Sequence, residues 1–168
     1  MCDKALGGYA DFDNYTVIEP RARGIERAIP VGKTITLSSG ADGSIVVADL
    51  KNRSLVNVSS GAAGGVPDNA RFEVVDLGKG RVALKASNSH FVSAGADGVV
   101  LKDLAGSAPA DSQSFQWINL MRGDTMLMSV TNHRYLATKP HSFGPVTASA
   151  TGPRPDRKGG ECFKWRIP

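Results

Sequence analysis

Two cysteines in 168 residues, Cys2 and Cys162, are too few for a disulfide framework. Cys162 stands directly before Phe163 in an alternating stretch, so its thiol is expected to point away from the core, and a bond to Cys2 would require the chain ends to meet. Histidine is equally scarce. His90, His133 and His141 show none of the close His or Cys spacing of a zinc site, and neither metal nor cofactor is expected. No apolar run approaches the length that crosses a bilayer, and residues 1–15 lack the apolar h-region of a secretory signal. The chain as it stands is therefore expected to be neither exported nor membrane-bound, although it could be a piece excised from an exported protein. Nothing resembles a coiled coil or a disordered tract. The formal net charge of +4 invites a search for an anionic partner. Only Arg21, Arg23, Arg27 and Arg154, Arg157, Lys158 come close together, beside Pro and Gly. Phosphate binding needs a continuous stripe of cations, so a solvated surface is expected and nucleic acid is not.

What the chain does have is punctuation. Its 19 glycines and 9 prolines separate short apolar runs, which favours strands and tight turns over long helices. The length suits one well-cored domain, read as residues 31–168, behind an N-terminal tail and linker at 1–30. Within the domain, strands recur in the same order of four. The first strands are read at 34–37, 81–84 and 125–128, each closely following a glycine (Gly32, Gly80, Gly123). The second are at 45–48, 91–94 and 135–138, and the third at 55–58, 99–101 and 145–148. The fourth carry Phe72-Glu73-Val74, Phe115-Gln116-Trp117 and Phe163-Lys164-Trp165. The Phe residues lie 43 and 48 positions apart, a structural-repeat spacing.

Alternation such as Ile35 with Leu37, or Val82 with Leu84, gives each strand one buried and one wetted face. One quartet cannot cover its apolar face alone, so the three share a core. A propeller usually needs at least four blades to close, so three quartets predict an all-β chain with a β-trefoil fold of twelve strands and pseudo-threefold symmetry, with repeats at about 31–78, 79–121 and 122–168. Gly40-Ala41-Asp42-Gly43 recurs as Gly95-Ala96-Asp97-Gly98, but the first falls between strands one and two and the second between strands two and three. Asp-Gly is a favoured hairpin turn at either place, so the match is read as turn chemistry and not as registration.

Repeat two runs Gly80-Arg81-Val82-Ala83-Leu84-Lys85-Ala86, Ser87-Asn88-Ser89-His90, Phe91-Val92-Ser93-Ala94 and Gln113-Ser114-Phe115, an order that resembles the fascin-type β-trefoil repeat. Repeat three follows with Asn132-His133-Arg134-Tyr135-Leu136-Ala137 and Glu161-Cys162-Phe163. A Gln or Glu two residues before Phe is also similar to the Gln-x-Trp signature of ricin-type trefoil lectins, from which repeat one departs with Ala70. Such trefoils occur four in tandem in actin-bundling proteins and singly in bacterial polysaccharide-degrading enzymes. Gly7-Gly8-Tyr9-Ala10-Asp11-Phe12-Asp13-Asn14-Tyr15-Thr16-Val17 resembles the closing strand of the β-sandwich that follows the catalytic propeller in arabinan- and xylan-degrading glycoside hydrolases, with residues 18–30 as the linker. Tyr9, Phe12 and Tyr15 could equally be a staple packing this tail onto the trefoil.

Catalytic chemistry is absent from the pattern. Glycoside hydrolysis needs two opposed carboxyl groups, one with a raised pKa. Asp11, Asp13, Asp42, Asp97 and Asp103 are read in turns or near strand ends, where solvation keeps them ionised. No Gly-x-Ser-x-Gly elbow, phosphate loop or dinucleotide fingerprint is present, so the chain is expected not to be an enzyme. Trp117 and Trp165 share the parity of a core Phe and are read as packing, not as sugar platforms. The loop Lys139-Pro140-His141-Ser142-Phe143-Gly144 instead offers a cation, an imidazole and an aromatic ring without a core partner. Lys102 and Asp103 add hydrogen-bonding groups in repeat two, and His90 and His133 are read at similar places before the second strands. These seven residues (Lys139, His141, Phe143, His133, His90, Lys102 and Asp103) form the candidate carbohydrate site.

The resemblance implies a noncatalytic carbohydrate-binding module, monomeric, holding an attached and exported bacterial hydrolase near an oligo- or polysaccharide. The alternatives are a fascin-like, actin-binding type of interaction domain, or a structural spacer.

Overall fold

The computed structural model describes residues 28–60, 65–95, 98–103, 108–120, 123–152 and 159–168. Both clusters of basic residues and the stretch from Gly7 to Val17 lie outside them. Among the described residues there is no α-helix, only two short 3-10 turns at Asp68–Ala70 and Asp111–Gln113.

Repeat one contributes β1 (Thr34–Ser39), β2 (Ile45–Asp49), β3 (Ser54–Val58) and β4 (Phe72–Gly78). Repeat two contributes β5 (Arg81–Ala86), β6 (Phe91–Gly95), β7 (Gly98–Lys102) and β8 (Phe115–Asn119). Repeat three contributes β9 (Thr125–Ser129), β10 (Tyr135–Ala137), β11 (Gly144–Pro145), β12 (Thr147–Ala150) and β13 (Phe163–Arg166). The alternation read in the sequence is physical: β1 buries Ile35, Leu37 and Ser39 and turns Thr36 and Ser38 outward.

Six strands close a barrel. The first and fourth strands of each repeat pair, with Ile35 opposite Phe72, Val82 opposite Phe115 and Thr125 opposite Phe163. Each fourth strand then pairs with the first strand of the next repeat: Phe72 lies opposite Ala86, Phe115 opposite Ser129 and, closing the ring, Phe163 opposite Ser39. The threefold relation is thus written in the strand register. Phe72, Phe115 and Phe163 are essentially inaccessible, and Leu37, Leu84 and Leu127 are buried with them. Removing each large apolar side chain from water contributes roughly 1.5–3 kcal/mol, which makes the barrel interior the main source of cohesion. The hairpins β2–β3 and β6–β7, with β10–β12, complete the β-trefoil.

Three expectations need correction. Thirteen strands stand among the described residues instead of twelve, because the third strand of repeat three divides at Val146. Pro145 has no N–H for a ladder. β11 accordingly pairs with β3 of repeat one, Gly144 opposite Asn57, while β12 pairs with β10. Cys162 is buried, not turned outward, because regular alternation begins only at Phe163; its carbonyl accepts the Gly40 N–H at 2.7 Å. Its pairing with Cys2 concerns a residue outside the described set.

His90 and His133 are also offset by one position. Asp42, Asn88 and Asn132 are the equivalent residues: each accepts, through Oδ1, the N–H two residues on, from Ser44, His90 and Arg134. The residue between has a positive φ in every case, at Gly43, Ser89 and His133. His90 therefore corresponds to Ser44 and Arg134, and His133 to Gly43 and Ser89. This places Asp42-Gly43 in the β1–β2 turn; in the second tetrapeptide Gly95 lies opposite Gly98, and Ala96 and Asp97 lie outside the described residues.

Candidate functional site

The connection from the second to the third strand differs in length among the repeats. β2 and β3 are joined by residues 50–53 and β6 and β7 by 96–97, whereas β10 and β11 are joined by 138–143. The longer loop of repeat three walls a groove of about 990 Å³. Lys139, Pro140, Ser142 and Phe143 form one side of this groove, and Thr147, Ser149 and Thr151 line it as well. Phe143 is 62% exposed, the most accessible aromatic among the described residues, so its ring meets solvent without a core partner.

Gly159, Gly160 and Glu161 also line the groove. Thr138 donates to the Gly160 carbonyl through its N–H at 3.0 Å and its hydroxyl at 3.3 Å. A Cβ at Gly160 would collide with the Thr138 carbonyl, and one at Gly159 with the Glu161 carboxylate. Gly160 is thus required by the close approach of its backbone to that of Thr138, whereas the Gly159 contact is with a side-chain tip of its own segment. Glu161 is buried beside them. Its counterpart Gln113 uses an amide to donate to the Asp103 carbonyl at 3.0 Å and accepts the Ala110 N–H at 3.1 Å, bracing the exit from β7.

The loop is held from repeat one. Asp42 Oδ2 accepts the His141 N–H at 2.7 Å, fixing a residue whose φ is +57°. Asn57, buried in β3, accepts the Gly144 N–H at 3.1 Å and donates to the Ser142 carbonyl at 3.3 Å. Burial alone would raise the Asp42 pKa, but hydrogen bonds from the His141 N–H, the Ser44 N–H and hydroxyl and the Ser39 hydroxyl outweigh it and hold the value at about 2. The bonds carry the ionised state of this turn carboxylate down to lower pH than solvation alone would.

Of the seven candidate residues, Lys139 and Phe143 line the groove. His141 belongs to the same loop, and its side chain is not part of the lining. His133 is exposed in the β9–β10 turn. His90, Lys102 and Asp103 gather separately in repeat two. There His90 Nε2 lies 2.8 Å from Asp103 Oδ1, while His90 Nδ1 lies 3.1 Å from the Asn88 carbonyl. Among the described residues, no three His, Cys, Asp or Glu side chains gather as a metal ion would require. Trp117 is buried and Trp165 half-buried; their rings meet edge to face with centroids 6.3 Å apart, and the Trp117 indole N–H donates to Asn119 Oδ1 at 2.9 Å. Both pack, as their parity predicted.

The sequence reading missed the hydroxyl-bearing wall and Glu161. The signal for the first was present in Thr147-Ala148-Ser149-Ala150, whose alternation turns both hydroxyls outward and Ala148 inward.

No family model matches the chain, and no curated protein matches it. Solved structures do. The designed threefold-symmetric protein ThreeFoil aligns at 19% identity with a TM-score of 0.64, covering 79% of this chain and 96% of that one. SeviL, solved bound to asialo-GM1 saccharide, aligns at 13% identity and TM-score 0.62 over 80% of this chain and 96% of its own. The BEL β-trefoil aligns at 14% identity and TM-score 0.65 over 86% and 99%. At such identities the likeness is one of fold, and the chain is a β-trefoil.

Proposed function

We propose that this chain is a noncatalytic carbohydrate-binding module whose site is the groove of repeat three. The observation that carries this reading is the exposed Phe143 ring standing beside a wall of hydroxyls, with Lys139 on the same loop. An aromatic face stacks on the apolar face of a pyranose. Hydroxyl, ammonium and carboxylate groups at fixed positions select its hydroxyl pattern. SeviL, with the same fold, is known with a saccharide bound, which supports the capacity of the scaffold for such a ligand. The module acts by localisation: joined to a glycoside hydrolase, it raises the effective concentration of enzyme at the polysaccharide without touching a barrier. The resemblance of Gly7 to Val17 to a hydrolase β-sandwich strand supports an exported bacterial parent of that class, with the trefoil as a monomeric appendage.

A glycan array followed by calorimetry tests this reading, with micromolar to millimolar binding expected. Phe143→Ala should weaken any hit at least about tenfold, because it removes an anchor ring. It should leave the thermal midpoint nearly unchanged, because the ring is not part of the core. Unchanged affinity would reject the loop as the site. The fascin-like order of repeats two and three supports a second reading as a protein-interaction trefoil, which predicts actin co-sedimentation that is salt-sensitive and indifferent to sugar.

A further inference from the structure

We propose that the saccharide site is single and built from two repeats, with Asp42 and Asn57 of repeat one acting as positioning residues for a loop that repeat three alone possesses. This rests on the carbohydrate reading and adds to it the number of sites and the residues that shape them.

The β1–β2 turn and its two counterparts require one acceptor oxygen. Asn88 and Asn132 supply it with an amide carbonyl, at 3.1 and 3.0 Å from the N–H they accept. Repeat one has Asp at this position, and Asp42 uses its two oxygens differently. Oδ1 accepts the Ser44 N–H at 3.0 Å and the Ser44 hydroxyl at 2.7 Å, as the turn demands, while Oδ2 reaches across the seam to the His141 N–H. The second oxygen is what an Asn cannot supply, since its NH2 would face another donor. His141 has a positive φ, a conformation that L residues leave readily unless it is held. Asn57 holds the next part of the loop through Ser142 and Gly144. Lys139 and Phe143 lie between or beside these tethers, so their placement in the groove depends on repeat one. The corresponding connections at 50–53 and 96–97 have four and two residues, against six at 138–143.

The separating variant is Asp42→Asn in the full chain. It keeps an acceptor oxygen for the turn as Asn88 and Asn132 do, and it loses the tether together with the charge that strengthens the Ser44 and Ser39 bonds. Calorimetry with the strongest array hit should give one sugar per wild-type chain, and about tenfold weaker binding for Asp42→Asn, as for loss of a hydrogen bond to a charged acceptor. The variant should still melt in one cooperative transition, with a lower midpoint above about pH 4 where ionised Asp42 contributes stability. Restoring Asp at position 42 should restore affinity. By amide exchange on labelled protein, the His141 N–H should exchange at least about tenfold faster in Asp42→Asn, while Leu127 in the barrel is unaffected. Three equivalent sites per chain, or wild-type affinity in Asp42→Asn, would overturn the proposal. If no glycan binds, the carbohydrate reading fails and the site count fails with it. The positioning role is then decided by exchange alone, and a wild-type rate at His141 would refute it.

Discussion

Asp42 engages both carboxylate oxygens, and its pKa is lowered from 3.8 to about 2 in the fold. Because the folded value lies below the unfolded one, the stability contributed by the ionised form is complete above about pH 4 and is lost as the pH falls toward 2. Asp49, the last residue of β2, is shifted the same way by the Asn52 N–H and side-chain amide. Acid titration of the thermal midpoint therefore contains both groups. We expect Asp42→Asn to flatten the slope between about pH 4 and 2 without abolishing it; a slope identical to wild type would show that the Asp42 bonds contribute nothing. Gly160 is a second residue with a steric reason for its identity. Gly160→Ala should cost about 1–3 kcal/mol in denaturant melts, because the added methyl meets the Thr138 backbone and not the tip of a flexible side chain. Wild-type stability in that variant would mean that the two segments separate at no cost.

At the scale of elements, the groove is a consequence of one connection. Replacing residues 138–143 by a two-residue Asn-Gly turn, the length repeat two uses, should preserve the barrel and abolish sugar binding. Circular dichroism and calorimetry would check the two halves of this expectation, and retained binding would place the site elsewhere. The same element carries the division of the third strand in repeat three. Pro145 interrupts the ladder, and Gly144–Pro145 crosses to β3 while Thr147–Ala150 stays with β10. A periodicity argument sees only a run of apolar and small residues from 145 to 148. It cannot tell which neighbour supplies the hydrogen bonds, because alternation reports which face is buried and not which edge is paired. For a related reason His90 and His133 looked equivalent. Both precede a second strand, but repeat three has one more residue ahead of its Asx turn than repeat two, and only the hydrogen-bond pattern of Asn88 and Asn132 aligns them.

At the scale of the whole molecule, β13 closes the ring against β1, with Phe163 opposite Ser39 and Trp165 opposite Leu37. No repeat therefore has a complete core of its own, and thermal or denaturant unfolding should be a single transition seen alike by near- and far-ultraviolet circular dichroism. Truncation before Phe163 should prevent cooperative folding, since it opens the barrel and removes one of the three Phe residues; a stable, cooperatively melting fragment would contradict a shared core. The quartet order, the Phe spacing and the in-out alternation were legible in the chain because burial on a strand repeats every second residue. They determined the trefoil, its shared interior and the packing role of Trp117 and Trp165, and the Lys139 to Phe143 loop stood out as an aromatic without a core partner. Only the tertiary structure decided that Asp42 and Asn57, 99 and 87 residues from their loop partners His141 and Gly144, hold that loop. It alone brought Glu161 and the paired glycines to the wall of the groove. Contacts across the seam between the first and last repeats arise from closure of the ring, and closure is a property of the assembled strands that no local stretch of sequence contains.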